Sequence, residues 1–473
     1  MGIFKLRATG RIVVLALFML GAVGLEAQTA TPLTADQKSE IDGIAHKVME
    51  KSGIPSASLA VVKDGKVAYA RAYGKARLEP PLESTTAMPY SIGSISKQFT
   101  AAAILMLQEE GKLSLDDKIG KWLPDLTRAN EVSIRQLLSM TSGYQDFWPQ
   151  DYVMRMMLKP TTAENILDGW ARKPLDFDPG TKTQYSNTNY VIAGLIVERV
   201  SGKPLYELLQ ERVLRPLEMS SALNTDAKPM GASDPLGYFR YALGPLRPAP
   251  EEGAGWMFAA GELAMTPSDL AKWDISVMNE SLLQPSSYLA METETVLKNG
   301  LGTQYGLGMS VSSVRNHRML GHGGEVSGFT ASNIVLPDDK FAVAVATNQD
   351  AVSGAGDIAR QVMNAYLNGL NAADPKQDAQ VRKVFDDLRQ GKINRSLFTD
   401  NANFYFSEQA IKDYANSLAP LGKVESFRQT SNSLRGGMTH MLYEVKFKEK
   451  TVGINIYQMP DGKLEQYLIA AQD

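Results

Sequence analysis

Cysteine is absent from the chain, and histidine is scarce, with four residues among 473. Without cysteine there is no thiol nucleophile, no thiolate metal site, no disulfide and no lipid attachment through an N-terminal cysteine. The histidines, His46, His317, His322 and His440, are scattered without His-x-x-x-His or similar spacing, so no zinc site is expected. An excess of charge of one sign is also lacking. Lys and Arg number 49 against 52 Asp and Glu, a formal net charge of -3, which gives no electrostatic footprint for nucleic acid or an anionic membrane. Long apolar runs are confined to the start, where Ile12 to Leu25 follows the basic Lys5, Arg7 and Arg11. Leu25-Glu26-Ala27 then places a small residue before Gln28, the order of a secretory signal peptide over residues 1–27. The run is short for a spanning helix, which needs about 20 residues. The expectation is an exported protein, periplasmic or secreted, with no stable membrane span once the leader is removed.

What remains is ordinary globular material: 44% hydrophobic residues against 21% charged suffices for a large core spread over two or three domains. Helical periodicity from Asp36 to Lys51 ends at Gly53-Ile54-Pro55. Ala57 to Val62 and Val67 to Tyr73 flank Lys63-Asp64-Gly65-Lys66, a hairpin signal. Ser96 to Glu110 reads as a long helix capped by Gly111, and helical segments fill the middle of the chain. Strand character returns at Phe329 to Leu336 and Phe341 to Thr347, around the turn Pro337-Asp338-Asp339-Lys340, before a helix from about Gly356 to Leu370. Strands at both ends and helices between them predict one α+β domain over 28–372 whose sheet needs both termini. Residues 373–377, with Pro375, read as a linker. Residues 378–473 follow as a small α+β domain, with helices at Asp378 to Gln390 and Glu408 to Ser417. Its strands are expected at Ser426 to Thr430, His440 to Phe447, Val452 to Gln458 and Leu464 to Ile469.

Three short motifs carry chemistry. In Ser94-Ile95-Ser96-Lys97 a serine and a lysine lie one turn apart at a helix start, and Ser94 is the only serine with lysine three residues on. The helix N-terminus favours negative charge on the serine oxygen, and a buried lysine, its charged form disfavoured, can take the serine proton. A capping serine followed by a surface lysine is the competing reading. Tyr185-Ser186-Asn187 follows the turn Pro179-Gly180, which places the phenol on a rigid loop. The same Tyr-x-Asn spacing at Tyr366 and Tyr414 falls in expected helices and reads as a decoy. Gly321-His322-Gly323-Gly324 stands just before the strand at Phe329, where small residues permit close approach of a substrate backbone. A structural histidine beside a glycine turn is the alternative there.

Taken in order, these motifs make the chain resemble the serine β-lactamase and penicillin-binding-protein superfamily, in its class C-like branch. Leu137-Leu138-Ser139-Met140-Thr141-Ser142-Gly143, Pro216-Leu217-Glu218-Met219 and Ala259-Ala260-Gly261-Glu262-Leu263 extend the likeness across roughly Ile41 to Leu370. The resemblance implies a β-lactamase/transpeptidase-like fold, an antiparallel sheet flanked by helices plus a mostly helical subdomain. It implies Ser94 as acylated nucleophile, and Lys97 and Tyr185 as general base and acid. Asn187 would orient substrate and His322 would hold the third-motif position. The implied oxyanion hole is the backbone N–H of Ser94 with that of Glu325, just past Gly323 and Gly324. No metal and no organic cofactor is implied, and the expected partner is a small-molecule or peptide substrate. One departure stands out: the third motif is His322-Gly323-Gly324, where β-lactamases usually carry Lys-Thr-Gly. A mostly neutral histidine grips a substrate carboxylate weakly, and members with His-x-Gly resemble D-aminopeptidases and esterases, so the resemblance implies such activity ahead of D-Ala-D-Ala carboxypeptidase or β-lactamase activity. A non-catalytic cell-wall peptide binder is the reading from another class. The C-terminal residues resemble accessory domains appended to such hydrolases, and Phe404, Tyr405 and Phe406 are expected in its core, with a binding patch as the competing reading.

Overall fold

The computed structural model describes residues 32–370 and 375–472. The expected leader at 1–27 lies outside the described residues, as does the 373–374 part of the expected linker. Helix α1 (Ala35–Ser52) opens on a capping box in which Thr34 and Gln37 exchange side-chain to backbone hydrogen bonds, and it closes on left-handed Gly53. Strands β1 (Ser56–Lys63) and β2 (Lys66–Arg77) form the expected hairpin, and the two-residue β3 (Leu82–Glu83) pairs with β2. Helix α2 (Ser96–Glu109) follows, then α3 (Asn187–Ser201) and α4 (Pro267–Asn279). Strands β4 (Ser310–Val314), β5 (His317–Val326), β6 (Phe329–Leu336) and β7 (Phe341–Thr347) precede α5 (Gly354–Leu370).

These strands build one seven-stranded antiparallel sheet in the order β3-β2-β1-β7-β6-β5-β4. Its centre joins β1 to β7, so the sheet needs both ends of this region, as the sequence implies. Both central strands read as continuous apolar runs because helices cover both faces. Alternate residues then serve two cores. Ala60 and Val62 with Ala342, Ala344 and Ala346 face the large core that contains α2, α3 and α4. Leu59 and Val61 with Val343 and Val345 face α1 and α5, through Ile41, Val48, Ile358 and Val362. The small alanine face lets α4 lie close to the sheet.

One expectation changes here. Gly321 to Gly324 is not a turn ahead of the Phe329 strand but the middle of β5, paired residue by residue with β6 from Leu320↔Val335 to Val326↔Phe329. Glycines weaken the strand signal in the sequence, and the reason for them emerges at the site below.

Past residue 370, helix α6 begins at Pro375 (Pro375–Arg389), three residues ahead of its expected start, with proline in the first turn where no N–H is needed. Helices α7 (Asp400–Tyr405) and α8 (Glu408–Leu418) lead into an antiparallel meander of β8 (Ser426–Arg435), β9 (Met438–Lys446), β10 (Thr451–Gln458) and β11 (Leu464–Gln472). Helices and sheet share a core of their own, with Val381, Phe385, Phe406, Tyr443, Ile454 and Tyr467. Of the aromatic trio expected there, Phe406 is buried, whereas Phe404 is 90% exposed and Tyr405 half exposed. Helix α7 lies at the surface of its domain and places successive residues about 100° apart, so Phe404 and Tyr405 turn outward while Phe406, at its C-cap, turns in.

Candidate active site

Helix α2 is apolar on every side, with all residues from Ser96 to Leu107 buried. Lys97 in its first turn therefore enters the interior with the helix, and its side chain is fully buried. Ser94 sits on the one-turn 3-10 segment Gly93–Ile95 that leads into α2, and remains partly accessible. Lys97 Nζ lies 2.9 Å from Ser94 Oγ, 2.8 Å from Asn187 Oδ1 and 2.8 Å from the carbonyl oxygen of Ala260. Two of these three partners can only accept hydrogen bonds. A neutral lysine spends its two N–H bonds on Asn187 and Ala260, which leaves its lone pair facing the Ser94 hydroxyl. Burial lowers the Lys97 pKa to about 7, with the Asp146 carboxylate pulling the other way. A neutral amine is thus well populated near pH 7.

Tyr185 lies on the loop ahead of α3, where the sequence placed it, while the competing Tyr366 and Tyr414 fall inside α5 and α8. Its side chain lines the cleft beside Ser94, and its ring centroid is 4.9 Å from Lys97 Nζ. Burial raises its pKa, so the phenol keeps its proton and the amine is the stronger candidate base. Asn187 is the first residue of α3 and lines the cleft; its Oδ1 accepts from Lys97, and Nδ2 donates to the carboxylate of Asp146, at 3.1 Å to Oδ1 and 3.4 Å to Oδ2.

His322 arrives from β5, its ring centroid 6.1 Å from that of Tyr185. Its Nδ1 contacts the carbonyl oxygen of Gly323, which can only accept, so that nitrogen carries the proton. Nε2 is then an acceptor, 2.8 Å from Tyr305 Oη, which donates to it. Burial, and then the neighbouring Lys97, lowers the His322 pKa to about 4, so the ring is neutral at pH 7. The sequence reading missed Tyr305 and Asp146. Asp146 stands three residues past Thr141-Ser142-Gly143, a usable signal, whereas nothing local marks Tyr305.

Gly324 of β5 and Gly93 of the Ser94 turn explain each other. A Cβ on Gly324 would stand 1.8 Å from the Ile92 carbonyl oxygen and 3.3 Å from Ser94 N. One on Gly93, at φ +50°, would stand 2.7 Å from Glu325 N. Only glycine lets the two backbones approach this closely, which brings the amide nitrogens of Ser94 and Glu325 into the same corner. The Glu325 side chain is itself held by the Ala351 N–H at 2.8 Å.

Ser94, Tyr185, Asn187, His322, Gly323, Gly324 and Glu325 thus line one cleft of about 970 Å³, with Lys97 buried behind Ser94. Phe147, Trp148, Tyr152 and Trp256 form an aromatic wall. Among the described residues lining the cleft, Arg360 is the only Lys or Arg, and it is ion-paired to Asp357. Asp146, Asp151, Glu325 and Asp350 line it as well. Among the described residues no group of His, Asp and Glu could hold a metal ion, and no helix is long and apolar enough to cross a membrane.

The chain is 27% identical over 328 residues to the protein flp of Staphylococcus aureus strain MW2, covering 67% of this chain and 64% of that protein. It is 31% identical over 303 residues to a D-aminopeptidase of Cereibacter sphaeroides, covering 63% of this chain and 57% of the other. The chain thus spans less than two thirds of the length of these relatives. A D-stereospecific amidohydrolase from Streptomyces sp. superposes with a TM-score of 0.59 at 25% identity, covering 68% of this chain and 97% of that one. The octameric penicillin-binding protein homologue from Pyrococcus abyssi shares the fold over 92% of this chain and 96% of its own, with a TM-score of 0.62 at 22% identity. The profile of the family described as Beta-lactamase matches residues 41–367, well over half of the sequence and the whole of the cleft. The chain belongs to the beta-lactamase family.

Proposed function

We propose that this chain is an exported serine hydrolase that cleaves an amide or ester bond through an acyl-enzyme on Ser94, acting on D-amino-acid peptides or small esters. The observation that carries the reading is the Lys97 amine, whose two carbonyl partners leave its lone pair to the Ser94 hydroxyl. In the first step Ser94 Oγ bonds to the substrate carbonyl carbon while its proton passes to Lys97. The oxyanion rests on the N–H groups of Ser94 and Glu325. The carbonyl–leaving-group bond then breaks, and the leaving amine or alkoxide takes the proton back from Lys97 or through the Tyr185 hydroxyl. Water reverses the sequence, with Lys97 again receiving the proton, and releases the acid.

Substrate preference follows from charge. His322 is neutral near pH 7 and Arg360 is already paired, so the cleft offers a substrate carboxylate no free cation, while its carboxylates suit a neutral or cationic one. The D-aminopeptidase and D-stereospecific amidohydrolase among the similar proteins support the same choice over carboxypeptidase or β-lactamase activity. Export rests on the sequence of residues 1–27, and the division into a hydrolase domain at 28–372 and an accessory domain at 378–473 on the separate cores. Intact-protein mass spectrometry with a fluorophosphonate, and separately with a penicillin, tests the activity. We expect fluorophosphonate labelling that vanishes in Ser94→Ala and no stable penicillin adduct. Absence of fluorophosphonate labelling in folded protein would overturn the enzyme reading.

A further inference from the structure

We propose that Asp146 is a positioning residue that sets the orientation of the Asn187 amide and, through its charge, the working pH of the Lys97 base; the proposal rests on the reading of Lys97 above. An asparagine amide can face either way, and a reversed Asn187 would point N–H bonds at the lysine ammonium. Asp146 removes that choice. Its Oδ1 accepts from the Asn187 backbone N–H at 2.9 Å and from Nδ2 at 3.1 Å, so Asn187 Oδ1 must face Lys97. Ser186, the residue at the N-cap of α3, makes no side-chain capping bond. The Asp146 carboxylate caps that helix from another loop, and its charge also suits the helix N-terminus.

The position of Asp146 is held from both sides. The Trp148 N–H donates to the same Oδ1 at 3.2 Å, which closes a local turn. Phe147 beside it is buried against Trp256 and Trp170, with ring centroids 5.8 Å and 6.1 Å away. An aromatic anchor of this kind fixes the loop far better than its own backbone could. The carboxylate is the charged neighbour that opposes the effect of burial on Lys97. Its removal therefore makes the amine still easier to deprotonate, an effect opposite in sign to simple loss of a catalytic group.

The test is the pH dependence of the second-order rate of Ser94 labelling by a fluorophosphonate, in the full chain, for wild type, Asp146→Asn and Asp146→Glu, with thermal melts alongside. Asp146→Asn is expected to label about tenfold more slowly at its optimum, with the rising limb moved to lower pH by about one pH unit. Asp146→Glu, which keeps the charge, is expected to retain the wild-type limb. Should Asp146→Asn fail to fold, Asp146→Ser carries the same test, because a hydroxyl can still accept from the Asn187 N–H. Rising limbs that coincide in wild type and the neutral variants would overturn the proposal and leave Asp146 a structural cap. Absence of labelling in wild type would instead sink the hydrolase reading itself, so the two failures are distinguishable.

Discussion

Two regions of this molecule bury their interiors in different ways. Among the described residues of 375–472, no charged residue and no Ser, Thr, Asn, Gln or His is buried. The region before residue 370 buries Lys97, Gln98, Asn189, Glu262, Asp274, Asn333 and many hydroxyls. Burying such groups is costly unless they are hydrogen-bonded, and one set of these bonds leads to the cleft. Asn333 Oδ1 accepts from the His322 N–H at 2.9 Å and from Gln98 Nε2 at 3.1 Å, and its amide donates to Asp274 at 2.7 Å. Trp273 Nε1 completes the chain on Gln98 at 2.6 Å. A polar network thus ties β5 to α2 behind Ser94, whereas the second core is mostly apolar, its buried hydrogen bond being that from the Tyr467 hydroxyl to the Val381 carbonyl oxygen at 2.9 Å. The difference teaches where chemistry resides: buried charged and amide side chains gather in the region that holds the cleft, and none is buried among the described residues of the second.

The sharpest break of this contrast is at Lys97. Lys97→Met is expected to reduce Ser94 labelling by at least about 10³-fold, yet to raise the melting temperature. The folded-state pKa of Lys97 lies at about 7, below its ordinary 10.5. Between these values the unfolded chain binds more protons, so wild-type stability rises with pH across that window. The advantage of Lys97→Met in thermal melts should therefore be largest below pH 7 and shrink toward pH 10.5.

The opposite break falls in the second core. Phe385→Ala is expected to destabilise residues 375–472 by about 3–5 kcal/mol, seen as an early transition in denaturant, while the rate of Ser94 labelling stays at the wild-type value. A matching fall in labelling would show that the two regions are coupled and would end the comparison as drawn.

Smaller effects test single links of the network. Tyr305→Phe removes the donor to His322 Nε2, so the imidazole should titrate above its present value of about 4 by NMR, with a drop in kcat/KM of roughly tenfold, the worth of one hydrogen bond. Asp274→Asn is expected to have the mildest effect. Burial raises the Asp274 pKa from 3.8 to about 7, so the folded state holds the extra proton and wild-type stability falls as pH rises through that window. The melting temperature of Asp274→Asn relative to wild type should climb between pH 4 and pH 7 and then level off.

Much of the site is legible along the chain. Ser94 and Lys97 announce themselves because three residues of helix make one turn, and Tyr185 because a Pro-Gly turn precedes it. The two decoy Tyr-x-Asn pairs are dismissed by helical periodicity, correctly, since both lie in helices. His322 is legible as a motif but not as a strand residue, because Gly321, Gly323 and Gly324 break the alternation that marks strands. Gly324 is fixed by contact with Ile92 to Ser94, more than 200 residues earlier, and Gly321 by the Asn333 carbonyl of the neighbouring strand, and no local pattern can express either.

The sequence by itself determined the pairing of Ser94 with Lys97, the strands from the two ends of the region that meet at the centre of the main sheet, and the absence of thiol chemistry. These depend on residue type and on spacings of a few residues, where backbone geometry leaves little freedom. Only the tertiary structure decided which way the Asn187 amide faces, that His322 is a neutral acceptor held by Tyr305, and that Lys97 is buried deeply enough to lose its proton near pH 7. Each of these depends on desolvation or on a partner brought in from a distant segment, and such contacts exist only once the chain has closed around them.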